Sequence, residues 1–179
     1  FDIPIQSASN HVLKLMNRHG TKEDMVALFK RIKELMPESI LRTTLISGFP
    51  GETEEDHLET LEFIKEVGFD KLGDFVYSRE EGTRSYNLPD QVDEEIKKKR
   101  HDNIMKAQRK ISYQRNKTQI GKVMEGIVIG YDQRQNKYLL RSYWNAPDDI
   151  DGNIYFMSDK PLNECDIVTV RIVDALVYD

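Results

Sequence analysis

The feature that most restricts the fold of this chain is the alternation of a β-branched segment with two capped amphipathic helices. Residues 40–47 read Ile-Leu-Arg-Thr-Thr-Leu-Ile-Ser, a composition typical of a buried parallel strand. On either side, Thr21-x-x-Asp24 and Thr53-x-x-Asp56 resemble capping boxes, which mark the first turn of a helix. Alternation of this kind implies parallel strands joined by right-handed crossovers, so the sequence predicts an α/β fold.

Two further parallel strands are predicted on either side of this unit, over residues 1–6 and 71–77. Three such strands neither close a barrel nor make a well-covered sheet, and the first of them presents an open edge. We therefore expect the chain to be a piece of a longer α/β barrel whose earlier strands precede Phe1. We also expect the isolated piece to self-associate or aggregate through the unpaired edge at Ile3–Ile5.

Both predicted helices carry an apolar face at helical spacing. The helix after Thr21 shows this spacing over residues 25–36 and is stopped by Pro37. The helix after Thr53 is predicted to end at Gly68, because glycine often follows the last turn of a helix. The residues predicted for the inner face of this second helix are Leu58, Leu61, Ile64 and Val67.

Charge is distributed unevenly along the 179 residues, whose net charge is −5. Residues 92–117 contain 9 Lys and Arg against 4 Asp and Glu, which makes them net +5. The flanking residues 1–91 and 118–179 are net −6 and −4. A basic helical segment between two acidic ones predicts three parts: an α/β domain at 1–91, a connector helix at 92–117 and a second domain at 118–179. We interpret the basic run Lys97–Arg100 as a solvated helix face.

The second domain is predicted to be all-β, because its apolar residues change to a period of two after Gly121. Four or five short strands in so short a segment suggest a small closed barrel of the oligonucleotide-binding type. The strand candidates are residues 123–129, 137–143, 153–157 and 167–173.

Composition excludes several classes of protein. No run of about eighteen apolar residues and no signal peptide occurs, so we expect a cytoplasmic protein without contact with a membrane. The single cysteine, Cys165, excludes an internal disulfide framework and any cysteine-held metal cluster built by these residues alone. We expect Cys165 to be a buried structural thiol. We expect the 4 histidines, which show no metal-ligand spacing, to lie on the surface.

A small-molecule site is predicted at the carboxyl ends of the three parallel strands. Gln6-Ser7, the turn Gly48-Phe49-Pro50-Gly51 and Tyr77-Ser78 each follow a predicted strand. In α/β barrels these ends meet at one rim, where active sites lie. The glycines of the turn permit a close approach of the backbone to a ligand.

Five segments of the sequence resemble the methylthiotransferase family of radical S-adenosylmethionine enzymes. They are Asp2-Ile3-Pro4-Ile5-Gln6, Leu13-Lys14-x-Met16-Asn17-Arg18, Arg42-Thr43-Thr44-x-Ile46-x-Gly48-Phe49-Pro50-Gly51-Glu52-Thr53, Tyr77-Ser78-x-Glu80-Glu81-Gly82-Thr83 and the TRAM-like Ala146-Pro147-Asp148-Asp149-Ile150-Asp151-Gly152. These segments occur in the family's order across essentially the whole chain. Their agreement is therefore more specific than any one of them.

The resemblance implies a partial radical S-adenosylmethionine (β/α) barrel with parallel strands, followed by a small TRAM barrel. Members of the family use S-adenosylmethionine and two 4Fe-4S clusters to install a methylthio group. Their cysteine motif, C-x-x-x-C-x-x-C, is absent from this sequence, so the ligands of both clusters are expected before Phe1. We therefore expect the chain alone to bind no cluster and to be inactive, and no catalytic residue is assigned to it.

The resemblance also implies that part of the S-adenosylmethionine pocket remains. Ile46 and Gly48 are expected to flank the adenine, and polar groups such as Arg42 are expected to meet the ribose or the methionine carboxylate. Ser7 stands where many members of the family have histidine. The residues expected to bind the cofactor are Gln6, Ser7, Arg18, Arg42, Ile46, Gly48, Phe75, Val76 and Tyr77.

Two branches of the family differ in their substrate. One modifies an aspartate of a small-subunit ribosomal protein, and the other modifies an adenosine of transfer RNA. The segments Glu80-Glu81-Gly82-Thr83 and Ala-Pro-x-x-x-Asp-Gly resemble the ribosomal-protein branch, and the net −4 of residues 118–179 suits a basic protein better than RNA. We therefore predict a ribosomal-protein substrate. The transfer RNA enzyme and a non-catalytic TRAM-type binding module are the alternatives.

The sequence also suggests which residues contact the substrate. Tyr143 and Trp144 are interpreted as an exposed aromatic pair that stacks on a base, anchors a protein partner or plugs the small barrel. The residues expected to contact the substrate are Glu80, Glu81, Tyr143, Trp144, Asp148, Asp149 and Asp151.

Overall fold

The computed structural model describes residues 1–146 and 152–177, which belong to two compact units. Unit 1 comprises residues 1–111 and unit 2 residues 112–179, so that the division falls within the longest helix. The helices are α1 (Asn10–Leu15), α2 (Lys22–Leu35), α3 (Glu54–Val67) and α4 (Glu94–Lys117), with a 3-10 turn at Arg84–Asn87. The strands are β1 (Arg42–Ser47), β2 (Lys71–Val76), β3 (Val123–Asp132), β4 (Lys137–Ser142), β5 (Ile154–Phe156) and β6 (Ile167–Arg171).

Unit 1 is built on a parallel sheet. β1 and β2 pair in parallel over their whole lengths. Residues 1–6 extend the sheet on the other side of β1 through parallel bridges at Asp2 and Gln6. The predicted α/β fold with parallel strands is therefore confirmed. Within the described residues the sheet does not close into a barrel.

Side-chain capping explains where α2 and α3 begin. The hydroxyl of Thr21 accepts a hydrogen bond from the backbone of Asp24, whose carboxylate accepts one from the backbone of Thr21. Thr53 and Asp56 repeat this arrangement at α3. α3 ends at Gly68, whose φ of 64° is a left-handed conformation that glycine adopts without steric cost. Both predicted capping boxes and the predicted C-cap are confirmed.

The core of unit 1 is centred on three phenylalanines between the sheet and its helices. Phe29, Phe63 and Phe69 are at most 2% exposed, and the ring centroids of Phe29 and Phe69 lie 4.9 Å apart in an edge-to-face arrangement. Burying one such side chain contributes about 1.5–3 kcal/mol. The predicted inner face of α3 is partly wrong, since Leu58 is 50% exposed. The buried side of the helix is rotated toward Phe63 and the polar His57.

His57 also departs from the expected surface position of the histidines. It is 3% exposed, and burial lowers the pKa of its imidazole. The Nδ2 atom of Asn103 on α4 lies 3.5 Å from its Nε2 atom. A neutral imidazole can occupy this position because it has a polar partner there. The other histidines are at least partly exposed.

The sheet of unit 1 has one face covered by helices and one that is more accessible. Side chains paired across parallel strands point to the same side, and the side alternates along each strand. On the covered face Leu45 is opposite Asp74, and these residues are 1% and 6% exposed. On the other face Ile46 is opposite Phe75, which is 62% exposed. We call this the open face. It carries Arg42, Thr44, Ile46, Lys71, Gly73 and Phe75, of which Lys71 is buried at the start of β2.

Helix α4 buries charged side chains where the sequence predicted a solvated face. Lys97 and Arg100 are 2% and 5% exposed, whereas the apolar Ile96 is 44% exposed. The interpretation of Lys97–Arg100 as a solvated face is therefore wrong for these two residues. A buried charge persists only when it is paired. Lys97 can be buried because the Glu94 carboxylate lies 2.6 Å from it, and Arg100 because the Glu52 carboxylate lies 2.8 Å from it.

Unit 2 contains an antiparallel sheet with the strand order β5-β4-β3-β6. The four strands form where the period of two predicts them, although β3 continues to Asp132, beyond the predicted residues 123–129, and bulges between Val128 and Gly130. Met124, Val128 and Leu140 form its buried centre at 2% exposure or less. The sheet has the size and composition of a small TRAM barrel, but β5 and β6 do not pair to close it within the described residues.

Two residues of unit 2 lie differently from their predicted positions. Cys165 is exposed rather than buried; it adopts a φ of 72° in the turn before β6, where its amide donates to Val128. Trp144 is 8% exposed while Tyr143 is 55% exposed, so the two do not form an exposed pair, and the burial of Trp144 agrees with the alternative that it plugs the small barrel. The Trp144 indole can be buried because it donates a hydrogen bond to Asn116 at 3.1 Å.

No helix within residues 1–146 and 152–177 is both long and apolar enough to cross a membrane.

The outer edge of residues 1–6 remains the predicted site of self-association. Pro4 interrupts this edge because it has no N–H, and its carbonyl accepts a hydrogen bond from Arg18 at 2.8 Å. We expect the isolated chain to self-associate with increasing concentration through the remaining edge groups. Sedimentation velocity across a hundredfold range of concentration would measure this, and a monomer throughout the range would contradict it.

Candidate functional site at the strand ends

Backbone hydrogen bonds bring the three strand ends of unit 1 to one rim. The amide of Gln6 donates to the Thr44 carbonyl at 2.9 Å, and the Gln6 carbonyl accepts from the Ile46 amide at 2.8 Å. On the other side of β1, the Tyr77 amide donates to the Ser47 carbonyl at 2.9 Å. Adjacent strands lie about 4.8 Å apart. Gln6 and Tyr77 therefore flank the end of β1 within the span of a nucleoside.

The turn that follows β1 forms the middle of this rim. Gly48 and Gly51 have φ angles of 80° and 85°, which favour glycine. The Gly48 amide donates to the Glu52 carboxylate at 3.1 Å, and a Cβ atom on Gly48 would lie 2.2 Å from the Cγ atom of Lys97. The Gly51 amide donates to the Asp90 carbonyl at 2.9 Å. The turn is thus fixed by contacts on three sides.

Gln6 and Ser7 turn the chain from the first strand into α1. Gln6 has a φ of 69°, a left-handed conformation that ends the extended segment. Ser7 is 3% exposed, and its hydroxyl accepts a hydrogen bond from the amide of Ser9, the N-cap of α1. The Ser7 hydroxyl is therefore engaged in a hydrogen bond within the turn. The amide side chain of Gln6 is the polar group that this strand offers at the rim.

The two arginines expected at the cofactor lie closer to the start of the sheet. Arg42 is the first residue of the six-residue strand β1, which places its backbone about 16 Å from the rim. Its guanidinium lies 3.9 Å from the Asp2 carboxylate, and Arg18 donates to the carbonyl of Pro4 at 2.8 Å. The structure therefore does not bring the Arg42 backbone together with Gly48.

The open face next to the rim is apolar. Ile46 and Phe75 are opposite each other near the carboxyl ends of β1 and β2. Next to Ile46, the rings of Phe49 and Tyr77 pack edge to face with centroids 5.3 Å apart, in a cluster that also buries Val12. A flat, partly exposed aromatic ring beside a β-branched side chain is a suitable surface for a nucleobase.

The free edge of β2 offers backbone hydrogen-bonding groups beside this surface. The amides of Lys71 and Tyr77 donate toward the β1 side, to Leu41 and Ser47. Because the direction alternates along a strand, the N–H and C=O groups of Val76 point to the edge that no strand pairs with in the described residues. A donor and an acceptor on one residue match the pattern of a base edge. The Val76 side chain lies on the covered face, opposite Ser47.

On the covered side of the rim, two cations of α4 contact the strand ends. The guanidinium of Arg100 donates to the Glu52 carbonyl at 3.0 Å and to the Glu52 carboxylate at 2.8 Å. The ammonium of Lys97 lies 3.3 Å from the Tyr77 carbonyl and 2.6 Å from the Glu94 carboxylate. Burial raises the pKa of Glu52 to about 7, although Arg100 opposes the increase.

A second buried carboxylate joins β1, β2 and α4. Asp74 accepts hydrogen bonds from the Ser47 hydroxyl at 2.7 Å and contacts Nδ1 of His101 at 3.0 Å. Burial raises the pKa of Asp74 to about 6. A nucleophilic serine requires a base at its hydroxyl and a carboxylate behind that base. Here the carboxylate lies between the other two groups, so the cluster connects the elements and does not activate Ser47.

The residues expected to contact the substrate lie in three places. Glu80 and Glu81 are in the exposed loop after β2, where the Ser78 hydroxyl donates to the Glu80 carboxylate at 2.6 Å. In unit 2, Tyr143 is exposed and Trp144 lines a cavity of about 240 Å³. The other three, Asp148, Asp149 and Asp151, lie outside the described residues.

The described residues do not fit an iron–sulfur cluster. Among residues 1–146 and 152–177, no group of three or more His, Cys, Asp or Glu side chains is placed to hold a metal ion. The sequence has one cysteine, Cys165, whereas such clusters are typically held by several thiolates. By contrast, the open face, the glycine turn and the Val76 edge are consistent with a bound adenosine.

Comparisons with known proteins show what each part of the chain is similar to. Residues 1–64 match the family model of the radical SAM superfamily, and residues 120–179 match that of the TRAM domain. The chain is thus similar to radical S-adenosylmethionine proteins over residues 1–64 and to TRAM domains over residues 120–179.

Curated relatives narrow this class. The chain is 46% identical over 179 residues to "Ribosomal protein uS12 methylthiotransferase RimO" of Clostridioides difficile (strain 630), covering 100% of the chain and 40% of that protein. The identity is 45% over 179 residues for the protein of the same name in Caldicellulosiruptor saccharolyticus, again 100% of the chain and 40% of the relative. It is 46% over 99% of the chain and 40% of the relative in Geobacter sulfurreducens.

Over its whole length the chain is therefore similar to the RimO proteins. It spans about two fifths of the length of these relatives.

Sequence reasoning did not identify the charged groups behind the rim. In the sequence, Glu52 is only one residue of the segment that follows β1, and Lys97 and Arg100 belong to the basic run of α4. The available signal is their spacing, because residues 97 and 100 share a helix face with the buried Ile104. Basic residues on the same face as a core isoleucine indicate burial with a partner, and Glu52 is that partner for Arg100.

Proposed function

We propose that this chain supplies the later part of an S-adenosylmethionine site, and the TRAM domain, of an enzyme that methylthiolates an aspartate of ribosomal protein uS12. The observation that carries the proposal is the rim itself. Gln6, the Gly48 turn and Tyr77 converge beside an apolar open face, in a chain that is similar over its whole length to RimO proteins. The two 4Fe-4S clusters of such an enzyme are assigned to residues outside this chain.

The proposed role of the rim is to bind and orient the nucleoside. Adenine packs on Ile46 and Phe75, and the N–H and C=O groups of Val76 bind its edge. The absence of a side chain at Gly48 lets the ribose approach the backbone, and Gln6 provides a polar contact. When bound, S-adenosylmethionine supplies a methyl group and, on reductive cleavage, the adenosyl radical that abstracts hydrogen from the aspartate.

The other residues expected at the cofactor act through the first strand in this proposal. Ser7 fixes the turn after Gln6 by accepting from the Ser9 amide. Arg18 and Arg42 bind the carbonyl of Pro4 and the carboxylate of Asp2. These contacts hold residues 1–6 against β1, and Tyr77 closes the other side of the rim from within its buried cluster.

The proposed substrate is a basic ribosomal protein in the cytoplasm. Residues 118–179 are net −4, which favours association with a positively charged protein over an RNA backbone. Glu80 and Glu81 extend from the loop that follows the rim at β2 and are proposed to face this protein, together with the exposed Tyr143 and the three aspartates after Pro147. The printed names of the relatives support this choice.

Transfer RNA is the second candidate substrate, and the exposed ring of Tyr143 is the observation that favours it. A binding module without catalysis is the third possibility.

The full-length protein, reconstituted with its clusters, tests the proposal. We expect it to add a methylthio group to purified ribosomal protein uS12 and not to transfer RNA, as measured by mass spectrometry of both after incubation with S-adenosylmethionine. Modification of the RNA would support the second candidate. If the protein modifies neither substrate and binds no S-adenosylmethionine, the result would support the binding module.

Substitution of Phe75 links this activity to the open face. We expect Phe75→Ser to weaken S-adenosylmethionine binding about tenfold, because one stacked aromatic surface contributes on the order of 1.4 kcal/mol. Leu58→Ser is the matched control, since Leu58 is a comparably exposed apolar residue on α3. Isothermal titration calorimetry measures both. Equal binding by both variants would exclude the open face as the adenine surface.

A further inference from the structure

Helix α4 places its buried charges against the same strand ends that form the rim. Lys97 and Arg100 are three residues apart on one helix face, and both are at least 95% buried. Burying a charge is expensive, and apolar residues of similar size commonly stabilise a protein as well or better. A helix that only covered the sheet would bury Ile96, which is instead 44% exposed. This choice of buried residues indicates a requirement beyond stability.

Lys97 contacts the residues that follow β1 and β2, which are Gly48 and Tyr77. Its aliphatic stem occupies the space that a side chain on Gly48 would need, with Cγ 2.2 Å from the position of a Cβ there. Its ammonium lies 3.3 Å from the Tyr77 carbonyl and 5.2 Å from the centre of the Tyr77 ring. One side chain thus sets the distance between the end of β1 and the end of β2.

Arg100 fixes the turn itself. Its guanidinium binds the carbonyl and the carboxylate of Glu52, and the same carboxylate oxygen accepts from the Gly48 amide at 3.1 Å. The position of the Gly48 peptide therefore depends on a chain of two hydrogen bonds that begins at Arg100. The fork geometry of a guanidinium makes this arrangement directional, which an ammonium would not reproduce.

We propose that Lys97 and Arg100 are positioning residues for S-adenosylmethionine: they set the spacing and orientation of the strand ends from the covered side without touching the ligand. The inference rests on the proposed function of the rim. From α4, Lys97 contacts Gly48 and Tyr77, and Arg100 contacts Glu52, whereas Ile46 and Phe75 present the open face.

The test uses the full-length protein and three variants of adjacent residues. Lys97→Met keeps the stem and removes the ammonium, and Lys97→Arg restores a cation. Lys98→Met is the matched control, because the Lys98 side chain is 64% exposed on the next position of the same helix. Binding of S-adenosylhomocysteine and of methylthioadenosine is measured by calorimetry well below the unfolding midpoint of each variant, which is determined by circular dichroism.

We expect Lys97→Met to weaken both ligands by the same factor, tenfold or more, because they share the nucleoside. We expect Lys98→Met to bind within twofold of the wild type and Lys97→Arg to recover most of the lost affinity. Unchanged affinity in folded Lys97→Met, with only a lower unfolding midpoint, would show a purely structural role and overturn the inference.

Arg100→Lys provides an independent measurement if Lys97→Met does not fold. It keeps the charge and loses the fork, so we expect at least threefold weaker binding of both ligands. Wild-type affinity in this folded variant would overturn the assignment of Arg100. Failure of the wild-type protein to bind either ligand would contradict the proposed function of the rim, which separates the two questions.

Discussion

Replacing Gly48 with alanine is expected to lower the free energy of unfolding of unit 1 by about 2–5 kcal/mol. A left-handed backbone conformation costs an L-residue about 1–2 kcal/mol, and forcing a methyl group into a packed site costs about 1–3 kcal/mol more. Gly48 meets both conditions, with a φ of 80° and Lys97 Cγ 2.2 Å from the position of its Cβ. The contact involves the buried middle of the Lys97 stem, which has little freedom to move aside.

Gly82→Ala separates the two contributions. Gly82 has the same φ of 80°, and a Cβ atom there would meet nothing within 4 Å. We therefore expect Gly82→Ala to show only the conformational cost and Gly48→Ala to exceed it by more than 1 kcal/mol. Urea unfolding followed by circular dichroism at a helical wavelength measures both, since the described helices α1–α3 lie in unit 1. Equal destabilisation would show that Lys97 yields to the new methyl group.

The secondary structure of unit 1 could be predicted from the sequence because local chemistry determines it. Thr21 and Thr53 each satisfy backbone donors at a helix start together with an aspartate three residues later. Gly68 adopts the left-handed conformation that ends α3. These interactions involve neighbours in the chain, so their spacing is visible in the sequence. The parallel pairing followed from the alternation of elements.

Burial of individual side chains depends on partners that are distant in the chain, and here prediction failed. Lys97 and Arg100 belong to a run of four basic residues that suggests solvent, yet Arg100 pairs with Glu52, 48 positions away. Trp144 could be buried because Asn116 accepts its indole N–H. Cys165 occupies a left-handed turn and is exposed. Neither the Trp144–Asn116 contact nor the turn at Cys165 leaves a periodic pattern in the sequence.

In the candidate site, too, some features could be predicted from the sequence and others depend on contacts between distant residues. Its position at the strand ends followed from topology, because the carboxyl ends of parallel strands share one rim. Which polar residues reach that rim did not follow. Arg42 lies in the correct strand but at its opposite end, and Ser7 is engaged within its own turn. The edge groups of Val76 depend on the direction of hydrogen bonding in β2, which only the pairing register reveals.

Replacing Arg100 with methionine is expected to destabilise unit 1 by about 3–5 kcal/mol at pH 8 and by less than half as much at pH 5. The larger value is the usual cost of leaving one partner of a buried ion pair without the other. Burial raises the pKa of Glu52 to about 7 in the folded protein, against about 4.3 in an unfolded chain. At pH 5 the folded variant can therefore protonate Glu52 and avoid an unpaired buried charge.

The sign of the pH dependence follows from proton binding. A carboxyl group whose pKa is higher in the folded state takes up a proton on folding, so the free energy of unfolding falls as pH rises from about 4.3 toward 7. Arg100 lowers the pKa of Glu52, and its removal raises that pKa further. The decline should therefore be steeper in Arg100→Met than in the wild type and should continue above pH 7. Asp74 and His57 also titrate, but they are present in both proteins.

Two variants identify Glu52 as the source of this difference. Arg100→Met combined with Glu52→Gln removes the ionisable group, so we expect the additional slope between pH 5 and 8 to disappear. Arg31→Met is the matched control: Arg31 pairs with Glu34 at 3.8 Å, and its side chain is 67% exposed, so its loss should cost less than about 1 kcal/mol at either pH. Urea unfolding at a series of pH values measures all four proteins. If the Arg100→Met defect is as large at pH 5 as at pH 8, or persists unchanged in the double variant, then Arg100 stabilises the turn through its contact with the Glu52 carbonyl and not by neutralising the carboxylate.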